Sequence, residues 1–165
     1  MPPKIDNEKI KKAIRSSQPL AIKTYTLPHE TEVFLEEVLT AFLNEFGMGQ
    51  IKDQLAYCMR ELAVNAKKAN TKRVYFEEKE LDLHSKNDYS QGMENFKEET
   101  LGNIDHYLAL QKERGYYIKV LFHAKGREFI LSIHNNVEMT RKEQMRVYDR
   151  IARSRAFESM EEAFS

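Results

Sequence analysis

RELAVNAKKAN, residues 60–70, places three polar side chains of different chemistry on one face of a predicted helix. Glu61, Asn65 and Lys68 lie at i, i+4 and i+7, a spacing that aligns side chains along an α-helix. Apolar residues surround them, which indicates a partly buried helix beside a cleft. A carboxylate can orient or deprotonate water, an amide oxygen suits Mg²⁺ and an ammonium group suits phosphate. The row therefore either lines a nucleotide triphosphate site or forms a solvated strip.

The segments on either side of this stretch show helical and strand patterns in turn. Before it, the sequence predicts a short amphipathic helix at 6–16, a strand at 20–27, a helix at 29–46 and the central helix itself from about 50 to 69. After it, the sequence predicts a strand at 73–79, an insertion with its own helix at 81–115, a hairpin at 116–136 and a helix at 140–157. This order favours an α+β fold, a two-layer α/β sandwich whose mainly antiparallel sheet carries helices on one face.

Composition limits both the size of the core and the class of partner. The chain has 165 residues, of which 41% are hydrophobic, so we expect one core and one domain. Lys+Arg and Asp+Glu each total 26, so no overall charge attracts nucleic acid or an anionic membrane. Cys58 is the single cysteine, which excludes a disulfide framework and a multi-cysteine zinc site. Without a signal-like segment or an apolar run of roughly 20 residues, we expect a cytoplasmic protein.

The motif Glu61-Leu62-x-x-Asn65-Ala66-x-Lys68-Ala69 resembles the N-box of the GHKL ATPases. That group includes histidine kinases, anti-sigma-factor serine kinases, gyrase and certain chaperones, and the serine-kinase branch resembles this chain in element order from Leu20 to about Phe164. The resemblance implies a Bergerat fold that binds ATP and Mg²⁺. It also implies that Asn65 coordinates the metal, that Glu61 is the catalytic base or positions water, and that Lys68 contacts phosphate.

A second part of the resemblance lies at the end of the hairpin, in LSIHNN, residues 131–136. In GHKL proteins a strand there leads into the G1 box, whose aspartate binds the amino group of adenine. Asn135 or Asn136 stands in that place, and residues 137–139 are not the glycines of the family. An asparagine carbonyl can accept a hydrogen bond from an amino group, but without the charge of a carboxylate. The pair therefore either binds adenine or ends the strand in a turn.

The glycine-rich G2 loop, which closes over the phosphates in GHKL proteins, has no counterpart here. The chain has 6 glycines, and none follows Gly126. We expect either a chain that stops before this lid loop or a degenerate domain. The resulting division is an N-terminal helical arm at 1–18 and a GHKL-type domain at 19–165, with a helical insertion at 81–115.

Two functions follow as hypotheses. The first is a Mg·ATP-binding domain of a histidine or serine protein kinase that transfers the γ-phosphoryl group to a partner protein. The second is a degenerate GHKL module that regulates another protein by docking, a role suggested by the missing glycines, the Asn pair and the insertion. The expected partner is a protein substrate or regulator, with a second copy of the chain as a further candidate, and neither nucleic acid nor a membrane is expected. The apolar stripe of the insertion comprises Phe96, Leu101, Ile104, Tyr107, Leu108 and Leu110.

Overall fold

A computed structural model describes the backbone of residues 4–164 and the side chains of residues 4–155. Over these residues the chain is α+β, which confirms the predicted class, with six α-helices, a short 3₁₀ turn at Gly49–Ile51 and a three-stranded antiparallel sheet. In chain order the elements are α1 (Asn7–Arg15), β1 (Leu20–Thr24), α2 (His29–Phe46), α3 (Lys52–Glu78), α4 (Lys86–Gly102), α5 (Ile104–Glu113), β2 (Ile118–Lys125), β3 (Glu128–Asn135) and α6 (Arg141–Phe164).

The sheet has the strand order β1-β2-β3, and both neighbouring pairs are antiparallel. In its register Ile22 lies opposite Val120, which lies opposite Ile133. The predicted hairpin is confirmed, and Gly126 begins its two-residue loop with φ +62°. A positive φ at the first loop position is typical of a type II′ turn, in which glycine avoids steric strain.

The main core lies between one face of this sheet and helices α1, α2 and α3. Alternate residues of β2, from Ile118 to Ala124, are buried, as expected for a strand with one face toward the core. Phe42 of α2 is fully buried, and its ring centroid lies 6.1 Å from that of Phe122 and 5.4 Å from that of Phe129. The amphipathic pattern that predicted α2 therefore identified the face that packs on the sheet.

The strand predicted at 73–79 is wrong, because these residues continue α3 as far as Glu78. Arg73, Val74, Tyr75 and Phe76 are buried in succession. A short run of consecutive buried residues does not distinguish a strand from an enclosed helix by its periodicity. Here α4 and α5 contact the C-terminal half of α3, so side chains on several sides of the helix are covered.

The insertion folds as two helices, α4 and α5, where the sequence analysis predicted one. The break falls at Asn103, whose φ of −134° is outside the helical range. The insertion builds a second cluster on the end of α3, with Tyr89 of α4 and Tyr107 of α5 buried against Phe76 and its neighbours. Part of its predicted apolar stripe is used there, whereas Leu101 remains exposed.

Candidate functional site

A groove of about 710 Å³ lies between the middle of α3, the end of β3 and the first turns of α6. Asn65 and Lys68 of α3 line it from one side, and Asn135 lines it from the end of β3. Leu62 and Ile133 add apolar surface, and Leu62 is 48% exposed where the helical pattern predicted an inward-facing residue. The volume is within the range of small-molecule binding sites.

The structure brings three of the five predicted site residues together in this groove and leaves two outside it. Glu61 is exposed and does not line the groove, because it precedes Leu62, the first α3 residue of the lining. Asn136 is also exposed, and its Oδ1 accepts a hydrogen bond from the Tyr117 amide at 2.8 Å, while its Nδ2 donates to the Gly115 carbonyl at 3.0 Å. Asn136 therefore ties the end of β3 to the segment before β2. The α3 residues in the lining are Leu62, Asn65, Ala66, Lys68, Ala69, Lys72 and Arg73.

A chain of amide hydrogen bonds orients Asn135. Asn70 is fully buried, and its Nδ2 donates to the Tyr117 carbonyl at 3.2 Å. Its Oδ1 then accepts from Asn135 Nδ2 at 3.2 Å, and the same nitrogen donates to the Ala66 carbonyl at 3.4 Å. The nitrogen of Asn135 is thus occupied by α3, which leaves its oxygen to accept a hydrogen bond from a ligand. Asn70 was missed, although a polar residue in line with Met59 and the other inward-facing positions of α3 is a detectable signal.

Positive charge dominates the groove. Its described lining contains six cationic side chains and three carboxylates, a net charge of +3. Only Lys68 was assigned to the site from the sequence, because a cluster of arginines on a helix is more often a solvated surface. A groove lined mainly by charges of one sign attracts a ligand of the opposite charge. The cations are Lys68, Lys72, Arg73, Arg146, Arg150 and Arg153, and the carboxylates belong to Glu138, Glu143 and Asp149.

Glu143 fixes the start of α6 to α3. Its carboxylate accepts hydrogen bonds from Lys72 Nζ at 3.0 Å and from both terminal nitrogens of Arg73 at 2.8 and 2.9 Å. It also accepts from the backbone amide of Thr140 at 3.0 Å, while the Thr140 hydroxyl accepts from the Glu143 amide at 3.3 Å. This reciprocal pair is a capping box, which sets where the helix begins. We refer to Lys72, Arg73 and Glu143 as the ion cluster.

The ion cluster keeps the Glu143 carboxylate charged. Burial raises its pKa, but hydrogen bonds from Arg73, the Thr140 backbone and Lys72 outweigh that effect and lower the pKa to about 2. The negative charge of Glu143 therefore persists at neutral pH and compensates part of the positive charge contributed by α3. Lys142, the residue before it, lies 4.1 Å from the centroid of the Tyr89 ring, so the first turn of α6 also contacts the insertion.

The described residues contain no group of three or more His, Cys, Asp or Glu side chains placed to hold a metal ion. A metal in the groove would therefore have to share its coordination with a bound ligand and water. The amide oxygen of Asn65 is the predicted protein ligand there. Among the helices that the structure describes, none is long and apolar enough to cross a membrane.

Comparison with known proteins identifies a relative in Treponema pallidum (strain Nichols), which is described only as an uncharacterized protein. The two sequences are 45% identical over 161 residues, which cover 98% of this chain and 31% of the relative. The chain thus spans less than a third of the length of that relative. No protein-family model matches the chain, and no solved structure matches it.

Proposed function

We propose that the chain is a Mg·ATP-binding domain of the GHKL type, with a two-layer Bergerat architecture, and that it serves a histidine or serine protein kinase. The observation that carries the proposal is the groove itself, in which Asn65 and Lys68 of the N-box helix meet Asn135 of the hairpin end. Asn135 lies 67 positions from Lys68 and 70 positions from Asn65 in the chain. The N-box resemblance and the polarity of the groove support the same ligand.

The chemistry of the groove fits a polyphosphate. Lys68, Arg146 and Arg150 offer cationic donors from two sides, and such donors bind phosphate through charge-assisted hydrogen bonds. Mg²⁺ usually keeps several waters and needs only one or two protein ligands besides the phosphates, so Asn65 is a sufficient donor in this setting. When bound, the metal ion would neutralise phosphate charge.

Other residues of the groove fit adenine. The orientation of Asn135 leaves a hydrogen-bond acceptor, and the 6-amino group of adenine is a donor. Leu62, Ile133 and Val137 provide apolar contact for a base. The kinase step would then transfer the γ-phosphoryl group to a side chain of a protein substrate. Glu61, exposed beside Leu62, is the residue that would polarise this acceptor.

Titration of Mg·ATP into the protein tests the proposal directly. We expect binding at micromolar to millimolar concentration by isothermal titration calorimetry, and a loss of roughly tenfold in affinity for Lys68→Ala, because one charge-assisted contact to phosphate is removed. Asn65→Ala should abolish the part of the affinity that depends on Mg²⁺. Lys67→Ala and Asn87→Ala are matched controls, since neither residue lines the groove. Absence of binding at millimolar Mg·ATP would refute the function.

The orientation of Asn135 predicts selectivity for the base. ITP carries a carbonyl oxygen where ATP has the 6-amino group, so it should bind about tenfold more weakly, because two acceptors would face each other. Asn70→Leu removes the hydrogen bond that holds Asn135 and should reduce this preference. Asn70→Asp still accepts from Asn135 and should retain it. Competition between ATP and ITP measures the preference of each variant. If Asn70→Leu and Asn70→Asp lose the preference for ATP equally, Asn70 does not have this role.

The degenerate regulatory module remains the second candidate. It is favoured by Asn136, which is used to join two backbone segments, and by Leu101 of the insertion, which is 60% exposed. This candidate predicts that the protein binds another protein and does not bind Mg·ATP tightly. The same titration therefore separates the two functions.

A further inference from the structure

Helix α6 is fixed to the rest of the protein at its first turn and is open to solvent beyond it. After Glu143, every side chain from Gln144 to Arg155 is exposed. Helices in water are only marginally stable without packing of an apolar face. The exposed part nevertheless carries large apolar side chains, so its outer surface has the character of an interface.

One side of this exposed part of α6 lines the groove with Arg146, Arg150 and Arg153. The opposite side carries Met145, Tyr148 and Ile151, which are 61%, 69% and 45% exposed. Their spacing of three residues places them in a row along the helix. Arg141 and Arg155 lie on the same side near the two ends of this row. We call these five residues the α6 outer face: Arg141, Met145, Tyr148, Ile151 and Arg155.

The insertion carries an exposed surface of opposite charge at the junction of α4 and α5. Leu101 and Ile104 flank Asn103 and are 60% and 47% exposed. Glu94 and Glu98 precede Leu101 by seven and three residues on the same face of α4, and Asp105 follows Ile104. Lys97 is the one cation among these neighbours, so three carboxylates leave a net charge of −2. We call Glu98, Leu101, Ile104 and Asp105 the insertion tip.

We propose that the α6 outer face of one copy docks on the insertion tip of a second copy of this chain. Both surfaces are exposed in the single chain, so neither covers the other within it. Apolar side chains would meet at the centre of the contact, with arginines opposite carboxylates at its edge, as in many protein interfaces. The complementary pair lies within one sequence, which is why a second copy is the partner that fits.

The geometry of the contact determines the expected assembly. One contact of this kind joins two different surfaces, and it closes into a symmetric dimer when each copy uses both of its surfaces. Stable interfaces bury about 1,200–2,000 Å² in total, so two small contacts acting together are needed. We therefore expect a dimer of modest affinity that weakens as salt screens its charges.

Sedimentation velocity over a range of protein concentrations tests this assembly. Tyr148→Ser and Ile104→Ser should each weaken dimerisation by roughly tenfold or more, because each removes an apolar side chain from one of the two surfaces. Tyr57→Ser is the matched control, since Tyr57 is 62% exposed on α3 and belongs to neither surface. Circular dichroism should show unchanged helix content for all three variants, because the replaced side chains are exposed.

A charge exchange provides the sharper test. The double variant Arg141→Glu, Arg155→Glu should weaken the dimer, and so should the double variant Glu98→Lys, Asp105→Lys. The protein with all four changes should dimerise again, with an affinity within about threefold of that of the unchanged protein. A monomer at all concentrations would overturn the proposal. So would a dimer that responds to changes on only one of the two surfaces, or one that the four changes together fail to restore. Nucleotide binding plays no part in these measurements.

Discussion

Arg73→Met is expected to lower the free energy of unfolding by about 3 kcal/mol. The substitution keeps much of the volume of Arg73 but leaves the largely buried carboxylate of Glu143 with Lys72 as its remaining charged partner. It also removes the donor to the Glu138 carbonyl. Breaking a buried ion pair on one side typically costs 3–5 kcal/mol, and the retained Lys72 places this case at the lower end.

Urea unfolding followed by circular dichroism measures this loss. Arg60→Met is the matched control on the same helix, because its ion pair with Glu36 is half exposed. A pair of that kind contributes less than about 1 kcal/mol. An equal effect of the two substitutions would show that the ion cluster contributes no more than a surface pair. A loss confined to α6, with the core intact, would instead show that the cluster only docks this helix.

The pH dependence of stability provides a second readout of the same cluster. The folded state lowers the pKa of Glu143 from 4.5 to about 2, which corresponds to roughly 3 kcal/mol of stability at neutral pH. This contribution is fully present above pH 4.5 and is lost as the pH falls toward 2, because the folded state must then take up a proton that the unfolded state already holds. Arg73→Met should reduce the slope in this window, and an unchanged slope would assign it to other carboxylates.

Gly92→Val is expected to destabilise the protein by about 3 kcal/mol through overpacking. A side chain built on Gly92 would place its Cβ 2.5 Å from the nearest ring carbon of Phe76, far inside van der Waals contact. Phe76 is itself 1% exposed and lies in the second cluster with Tyr75 and Tyr89, so its ring has little room to move. The intrinsic helix propensity of valine exceeds that of glycine and opposes only a small part of this cost.

Thermal unfolding of Gly92→Val and of the control Gly102→Val distinguishes packing from backbone effects. Both glycines belong to α4, but a Cβ on Gly102 would meet nothing within 4 Å. The control should therefore be neutral or slightly stabilising. If the two variants unfold at the same temperature, α4 does not pack on Phe76 as described, and the insertion would be an independent unit.

Local patterns predicted those elements whose apolar residues repeat with a clear period. The stripe of α2 identified both the type of element and its buried face, and the β-rich runs of the hairpin identified the two strands. The residues at 73–79 were assigned to a strand, yet as far as Glu78 they form the end of α3. Their burial on several sides comes from α4 and α5, and no local pattern carries that information.

The candidate site was predicted in part for the same reason. Asn65 and Lys68 were identified because helical spacing places them on one face, and Asn135 because the resemblance to GHKL proteins puts it in the place of the G1-box aspartate. Glu61 shares the spacing but lies outside the lining, since the groove begins at Leu62, one residue further along α3. The partners of Asn70, Asn135 and Tyr117, are 65 and 47 residues away and are known only from the tertiary structure.

By itself, the sequence determined the α+β class, the face that α2 buries, and a helix that displays Asn65 and Lys68 together. These features depend on the period of side chains within one element, which is a local property of the backbone. Tertiary structure alone decided that Arg73 meets Glu143, that the insertion packs on Phe76, and which residues line the groove. These contacts join distant segments because a buried charge is tolerated only when an opposite charge is buried beside it, and apolar surface is buried only against other apolar surface. The sequence of one segment does not show which other segment supplies that partner.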